Sequence, residues 1–193
     1  PIDGCLFIYP NAKSSNDKTL VRGLTLERIK DLDEVPSPYL TGILDKFFDG
    51  KLTPFIETNR GCPFTCSFCH TGADYFHKLN KFSQQRVKDE INYIGQRAGK
   101  LKISNLHMAD VNFGMFPRDK EICKNIADLQ KKYNWPLTIC STTGKNNKER
   151  IIEATSILGD AFSVAMSAQS MDQKVLANIN RSNIKLRSEE RRV

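Results

Sequence analysis

Residues 60–70, RGCPFTCSFCH, place Cys62, Cys66 and Cys69 at the spacing C-x3-C-x2-C, with His70 following at once. Thiolates are soft ligands, and three on one tight loop can grip a single metal ion or one face of a cluster. A structural zinc site closes with four ligands, commonly as two separated pairs. No second pair follows here, but His70 is adjacent and His77 lies further on, so a Cys3His zinc site is one reading. A four-iron, four-sulfur cluster is another. It ordinarily takes four cysteines, and three leave one iron without a protein ligand. An open iron is a defect for electron transfer and an asset for catalysis, because it can hold a substrate group. A redox dithiol formed by Cys66-Ser-Phe-Cys69 is a third reading, weakened by the extra cysteine.

On both sides of the loop the chain alternates between strand and helix patterns. Residues 53–59, TPFIETN, are β-like and run straight into the cysteines. Residues 82–99 read as a helix capped by Ser83, with Val87, Ile91, Ile94 and Ala98 on one face and Gly99 at its end. A strand is expected within 100–113. The helix after it opens at Pro117 and carries Ile122, Ile126, Leu129 and Tyr133 on one stripe. WPLTICST (135–142) reads as a third strand, 146–159 as a third helix stopped by Gly159, 161–170 as a fourth strand, and 171–181 as the start of a fourth helix. Strand–helix alternation predicts an α/β fold with a parallel sheet, open or rolled into a barrel. In either form chemistry collects at the C-terminal ends of the strands. The cysteine loop, Asp110 with Asn112, Ser141 with Thr142, and Gln169 with Ser170 all fall at such ends. Residues 1–52 read differently: a short strand near CLFIYP, a polar loop at 11–19, and a proline-containing linker ending in a short helix that Gly50 stops.

The net charge is +7, and much of it sits in the tail 185–193 and on helix faces. Without an Arg/Lys stripe interleaved with aromatic residues, a solvated surface is the expected reading, and a nucleic-acid-binding module is the alternative. No apolar run approaches the roughly 18 residues of a membrane helix. Six cysteines in a chain with no secretory signature suggest reduced thiols and a cytoplasmic setting. Cys123 and Cys140 are expected in the core as small hydrophobes. His107 is expected to be packed or partly exposed rather than catalytic, and Arg60 to be a surface charge.

Taken at greater length, ETNRGCPFTCSFCHTG, LHMADVNFG and AMSAQSMDQKVLANINR together resemble the radical S-adenosylmethionine (SAM) superfamily. The branch most resembled is the one whose members often carry a cobalamin-binding domain upstream. The resemblance spans residues from about Leu32 to Arg181. It implies a partial (β/α) TIM-like barrel of about four strand–helix units over 53–193, incomplete at the C-terminus, behind an N-terminal extension at 1–52. It implies that Cys62, Cys66 and Cys69 hold three irons of a 4Fe-4S cluster. SAM would chelate the fourth iron and be cleaved reductively to a 5′-deoxyadenosyl radical, which takes hydrogen from a substrate. A one-electron reductant of flavodoxin or ferredoxin type is implied as partner.

Residue by residue, the resemblance sets Phe68 near the adenine, where a core phenylalanine is the plain alternative. Asp110 and Asn112 would hold the methionyl amino group, with a turn or cap as the alternative for Asp110. Ser141 and Thr142 would bond the ribose. Gln169 and Ser170 match the fourth-strand pair. Arg181 would reach the SAM carboxylate, unless it is a surface arginine. Gly61 and Pro63 would shape the turn. The family's barrel has about six units, so the chain reads as a piece of a longer protein. Fifty residues upstream are too few for a cobalamin domain, and no D-x-H-x-x-G motif occurs. Cobalamin is therefore expected only in the full-length parent.

Overall fold

Alternating burial marks each strand of the structure, a computed structural model that describes residues 2–8, 20–144, 146–164 and 168–182. The polar loop at 11–19, the middle of the expected fourth strand (165–167) and the charged tail at 185–193 lie outside the described residues. The chain divides into two compact units, Pro1–Lys30 and Asp31–Val193. In the first, β1 (Leu6–Phe7) pairs antiparallel with β2 (Val21–Arg22).

The second unit is a mixed α/β body. It runs β3 (Phe55–Ile56), β4 (Asn59–Arg60), β5 (Asn80–Lys81), α1 (Gln84–Ala98), β6 (Asn105–Met108), α2 (Asp119–Tyr133), β7 (Thr138–Cys140), α3 (Lys148–Leu158) and α4 (Gln173–Asn178). A parallel sheet forms in the order β3-β6-β7, with Phe55 opposite His107 and His107 opposite Cys140. Parallel neighbours need a crossover between them, and α1 and α2 provide it. Of the expected fourth strand, Phe162 forms a parallel bridge to Ile139. The strands are shorter than the sequence pattern suggests: 53–59 and 100–113 contract to β3 and β6.

The helices follow their apolar periods. Ser83 Oγ accepts the Arg86 N–H at 3.1 Å to start α1, and Val87, Ile91, Ile94 and Ala98 are all buried. Helix α2 begins at Asp119, two residues later than Pro117 suggests. Pro117 lies in the preceding turn, and the Asp119 carboxylate accepts the Phe116 N–H at 3.0 Å. Its stripe buries Ile122, Cys123, Ile126 and Leu129, with Tyr133 partly buried. Gly159, at φ +59°, ends α3, and Asp172 caps α4 by accepting the Lys174 and Val175 N–H groups. The short helix before Gly50 is a single 3-10 turn, Asp45–Phe47. Tyr39 ties the stretch before β3 to the sheet, because its hydroxyl donates to the Phe55 carbonyl at 2.8 Å and accepts the Phe55 N–H at 3.0 Å.

The two faces of the sheet differ. Ile56, Leu106, Met108 and Ile139 join the apolar stripes of α1 and α2 in one core around the fully buried Trp135. The opposite face presents Phe55, Asn105, His107, Thr138 and Cys140, all exposed among the described residues. Cys123 is in the core as expected, but Cys140 is not. Its position in β7 alternates with that of Ile139 and so falls on the uncovered face. His107 is exposed there, with its ring 5.1 Å from that of Phe55. Truncating the core should therefore cost far more than truncating the open face. Ile126→Ala is expected to lose about 2–5 kcal/mol, and His107→Ala less than about 0.5 kcal/mol, in urea denaturation of the metal-free chain.

Candidate functional site

The cysteine loop begins where β3 ends, and its entry is held by a buried carboxylate. Asp110, just past β6 and 1% exposed, accepts the Thr58 N–H at 3.0 Å, the Thr58 hydroxyl at 2.8 Å and the Asn59 N–H at 3.0 Å. Burial raises its pKa to about 6, against the lowering effect of those hydrogen bonds. Antiparallel pairing of β4 with β5 then closes the base of the loop. Gly61 turns the chain at φ +108°, where a Cβ would lie 2.6 Å from the Lys78 carbonyl oxygen and 2.7 Å from that of Phe76. The Cys62 N–H donates to the Phe76 carbonyl at 2.8 Å, and the Ser67 N–H to the Ile179 carbonyl at 3.0 Å. Gly72 packs so closely that a Cβ there would collide with the Cys66 carbonyl.

These contacts present three thiols, none of them in a disulfide. Cys62 and Cys66 are buried and Cys69 is partly buried. Each sulfur meets a side-chain polar group. Asn112 Nδ2 donates to Cys62 Sγ at 3.3 Å. Arg181 Nη1 lies 3.9 Å from Cys66 Sγ. The Thr71 hydroxyl is 3.2 Å from Cys69 Sγ. Arg181 is only 6% exposed, so it is not a surface arginine, and its guanidinium stands 5.9 Å from the Phe68 ring centroid. Phe68 itself is 50% exposed and is not a core residue.

Of the remaining expected residues, Ser141 directly follows β7, and its hydroxyl is buried without a hydrogen-bond partner. Asn112 Oδ1 is likewise buried and unpartnered. Thr142 is exposed and offers its carbonyl to the Phe113 N–H at 3.0 Å. Gln169 is exposed at φ +64°, and the Ser170 hydroxyl accepts the Asp172 N–H at 3.1 Å, so the pair shapes the turn into α4. Arg60 is exposed and ion-paired to Glu57 at 2.6 Å. Neither histidine converges on the thiols. His77 Nε2 is 2.6 Å from the Gly72 carbonyl oxygen, and the His70 ring packs 5.0 Å from that of Phe76.

Thr58 and Asn59 were not singled out from the sequence. They are polar residues buried at a strand exit, and the only hint was their place between an apolar strand and the cysteines. Among the described residues no three Cys, His, Asp or Glu side chains converge to hold a single ion. Three thiols on one loop, each with a polar side chain at its sulfur, are a donor set of the kind that thiolate-held iron–sulfur clusters use. The unpartnered Asn112 and Ser141 atoms at adjacent strand ends add polar capacity for a further group.

The Radical SAM superfamily model matches residues 56–188. A 2-(S-pantetheinyl)-carbapenam-3-carboxylate methyltransferase from Streptantibioticus cattleyicolor is 33% identical over 186 residues, covering 92% of this chain and 27% of the relative. TokK, a cobalamin-dependent radical SAM methyltransferase from Streptomyces tokunonensis, is 33% identical over 175 residues, covering 86% and 25%. The solved structure of OxsB, a cobalamin-dependent S-adenosylmethionine radical enzyme with aqua-cobalamin bound, aligns with a TM-score of 0.55 at 18% identity, over 92% of this chain and 26% of that one. The chain thus spans about a quarter of the length of the relatives it matches.

Two outcomes follow from the loop's anchoring. Gly61→Ala forces an L-residue into a left-handed conformation against two carbonyls. The buried Cys62 and Cys66 should then react with a thiol reagent at least about tenfold faster in the metal-free chain. Asp110 has a raised pKa, so its contribution to stability is fully present below its ordinary 3.8 and is lost as pH rises through about 6. Urea titrations between those limits should show wild type losing about 2–3 kcal/mol that Asp110→Asn does not lose.

Proposed function

The chain belongs to the radical SAM superfamily, and on that premise we propose that it carries the cluster- and SAM-binding part of a radical SAM methyltransferase. Cys62, Cys66 and Cys69 hold a 4Fe-4S cluster. The observation that carries this reading is the loop itself: three cysteine thiols outside any disulfide, two of them buried, each with a polar side chain at its sulfur. The radical SAM part proposed over 53–193 would be a partial (β/α) barrel of about four strand–helix units, preceded in sequence by an N-terminal extension at 1–52. When bound, the cluster and SAM supply reductive cleavage of the sulfonium and a radical able to take hydrogen from substrate.

This chain's residues then have distinct tasks. Asp110 fixes the loop entry through Thr58 and Asn59, and its remaining acceptor capacity would face the methionyl amino group of SAM. Asn112 Oδ1 and the Ser141 hydroxyl, both buried and unpartnered, accept from and bond to SAM at the strand ends. Phe68, half exposed beside the cysteines, stacks on the adenine. Gln169, Ser170 and Arg181 line the side nearest α4. Methyl transfer is the reaction class that the two methyltransferase relatives favour. TokK is cobalamin-dependent by name, and any cobalamin partner of this chain would be bound only in a full-length parent. A flavodoxin- or ferredoxin-type protein would supply the electron to a cluster held by Cys62, Cys66 and Cys69. Among the described residues no helix is long and apolar enough to cross a membrane.

Anaerobic reconstitution with iron and sulfide tests the reading. The expected product is brown, holds about four irons per chain, and changes its spectrum when SAM is added. Cys66→Ala should lose all three properties. Colourless protein with about one zinc per chain would overturn the proposal.

A further inference from the structure

We propose that Arg181, Asn112 and Thr71 act as a graded set of donors that raises the reduction potential of the cluster held by the three cysteines. The inference rests on the cluster assignment above and goes beyond it, because it gives each cysteine sulfur its own tuning group. Asn112 Nδ2 lies 3.3 Å from Cys62 Sγ, with both residues buried. A ligating thiolate has no proton to give, so the amide nitrogen rather than its oxygen must face it, and Oδ1 is left without a partner. Arg181 Nη1 lies 3.9 Å from Cys66 Sγ, and the two residues are 6% and 3% exposed. The guanidinium cannot lose its charge. The Thr71 hydroxyl, 3.2 Å from the partly buried Cys69 Sγ, donates once that sulfur is a thiolate.

Reduction adds one negative charge to the cluster and its thiolates. A hydrogen bond or cation at the sulfurs stabilises the reduced form more than the oxidised form, so it raises the potential. The effect grows with charge and with exclusion of water. Arg181 is charged and buried, Asn112 neutral and buried, Thr71 neutral and nearer solvent, so their influence should fall in that order. The placement is not a local accident of the loop. Asn112 comes from the end of β6, and Arg181 from beyond α4, where its own N–H donates to the Leu176 carbonyl at 2.9 Å. A pure packing role predicts loss of cluster on substitution but no change in the potential of clusters that remain. These three are therefore positioning residues for the cluster's electronics, acting through the thiolates.

The test is an anaerobic redox titration of reconstituted full-length protein, followed by the electron paramagnetic resonance of the reduced cluster, with iron counted in every sample. The expected result is a more negative midpoint potential in Arg181→Gln, a smaller shift in Asn112→Leu, and the smallest in Thr71→Val. Arg181→Lys should return most of the way to wild type. Wild-type potentials in Arg181→Gln and Asn112→Leu samples with wild-type iron would overturn the proposal. If Arg181→Gln cannot hold iron, Asn112→Leu decides. Loss of iron from both, with helical content unchanged by circular dichroism, also overturns it in favour of a structural role. Failure of wild type itself to assemble a cluster would instead count against the cluster assignment.

Discussion

One buried carboxylate holds the cysteine loop to the sheet. Asp110 gathers two backbone N–H groups and a hydroxyl from Thr58 and Asn59, at the point where the chain leaves β3 for the cysteines. Hydrogen bonds to a charged acceptor contribute about 1.5–3 kcal/mol each, and leaving their buried donors unpaired costs a similar amount. The same burial that strengthens them penalises the charge, which is why the Asp110 pKa rises to about 6. The site therefore trades some stability at neutral pH for a fixed loop entry. Asp110 also follows β6, so it joins two adjacent parallel strands at the rim where the loop departs.

From that rim the other functional positions follow from strand geometry. Asn112 lies two residues beyond Asp110, and Ser141 directly after β7. In a parallel sheet all such ends share one edge, so a few residues past each strand meet without any dedicated scaffold. The Asn112 amide oxygen and the Ser141 hydroxyl are among the buried polar atoms left without a partner in the described residues, and both lie at this edge. They suit a site completed by a ligand.

Much of this was legible in the sequence, and the rest was hidden for physical reasons. Helices α1 and α2 were readable because Val87–Ile91–Ile94–Ala98 and Ile122–Ile126–Leu129 keep a helical period over several turns. The strands were readable in place but not in length, because pairing covers only two to four residues of each apolar run. Cys140 was misassigned to the core because an apolar-looking strand does not reveal which face a helix will cover. The spacing C-x3-C-x2-C stands in the sequence itself and marks the loop. The partners of its cysteines were not legible there. Thr58, Asn59 and the Arg181 contact to Cys66 depend on tertiary placement between distant positions, which no local pattern encodes.

That dependence has a consequence for how the chain and its cofactor stabilise each other. Cys62 meets Asn112 across 50 residues, and Cys66 meets Arg181 across 115. The Ser67 N–H is likewise bonded to the Ile179 carbonyl, so the region after α4 returns to the loop. Unfolding separates all of these groups while leaving the three thiols close together in sequence. An unfolded chain can still present C-x3-C-x2-C to iron, but without the buried donors at its sulfurs. The cluster proposed for these thiolates would bind the folded chain more tightly than the unfolded one, and the difference would return as stability of the fold. The sheet, the Asp110 anchor and the region after α4 thus act together on one loop, because the cysteine sulfurs meet their polar partners only when all three are in place.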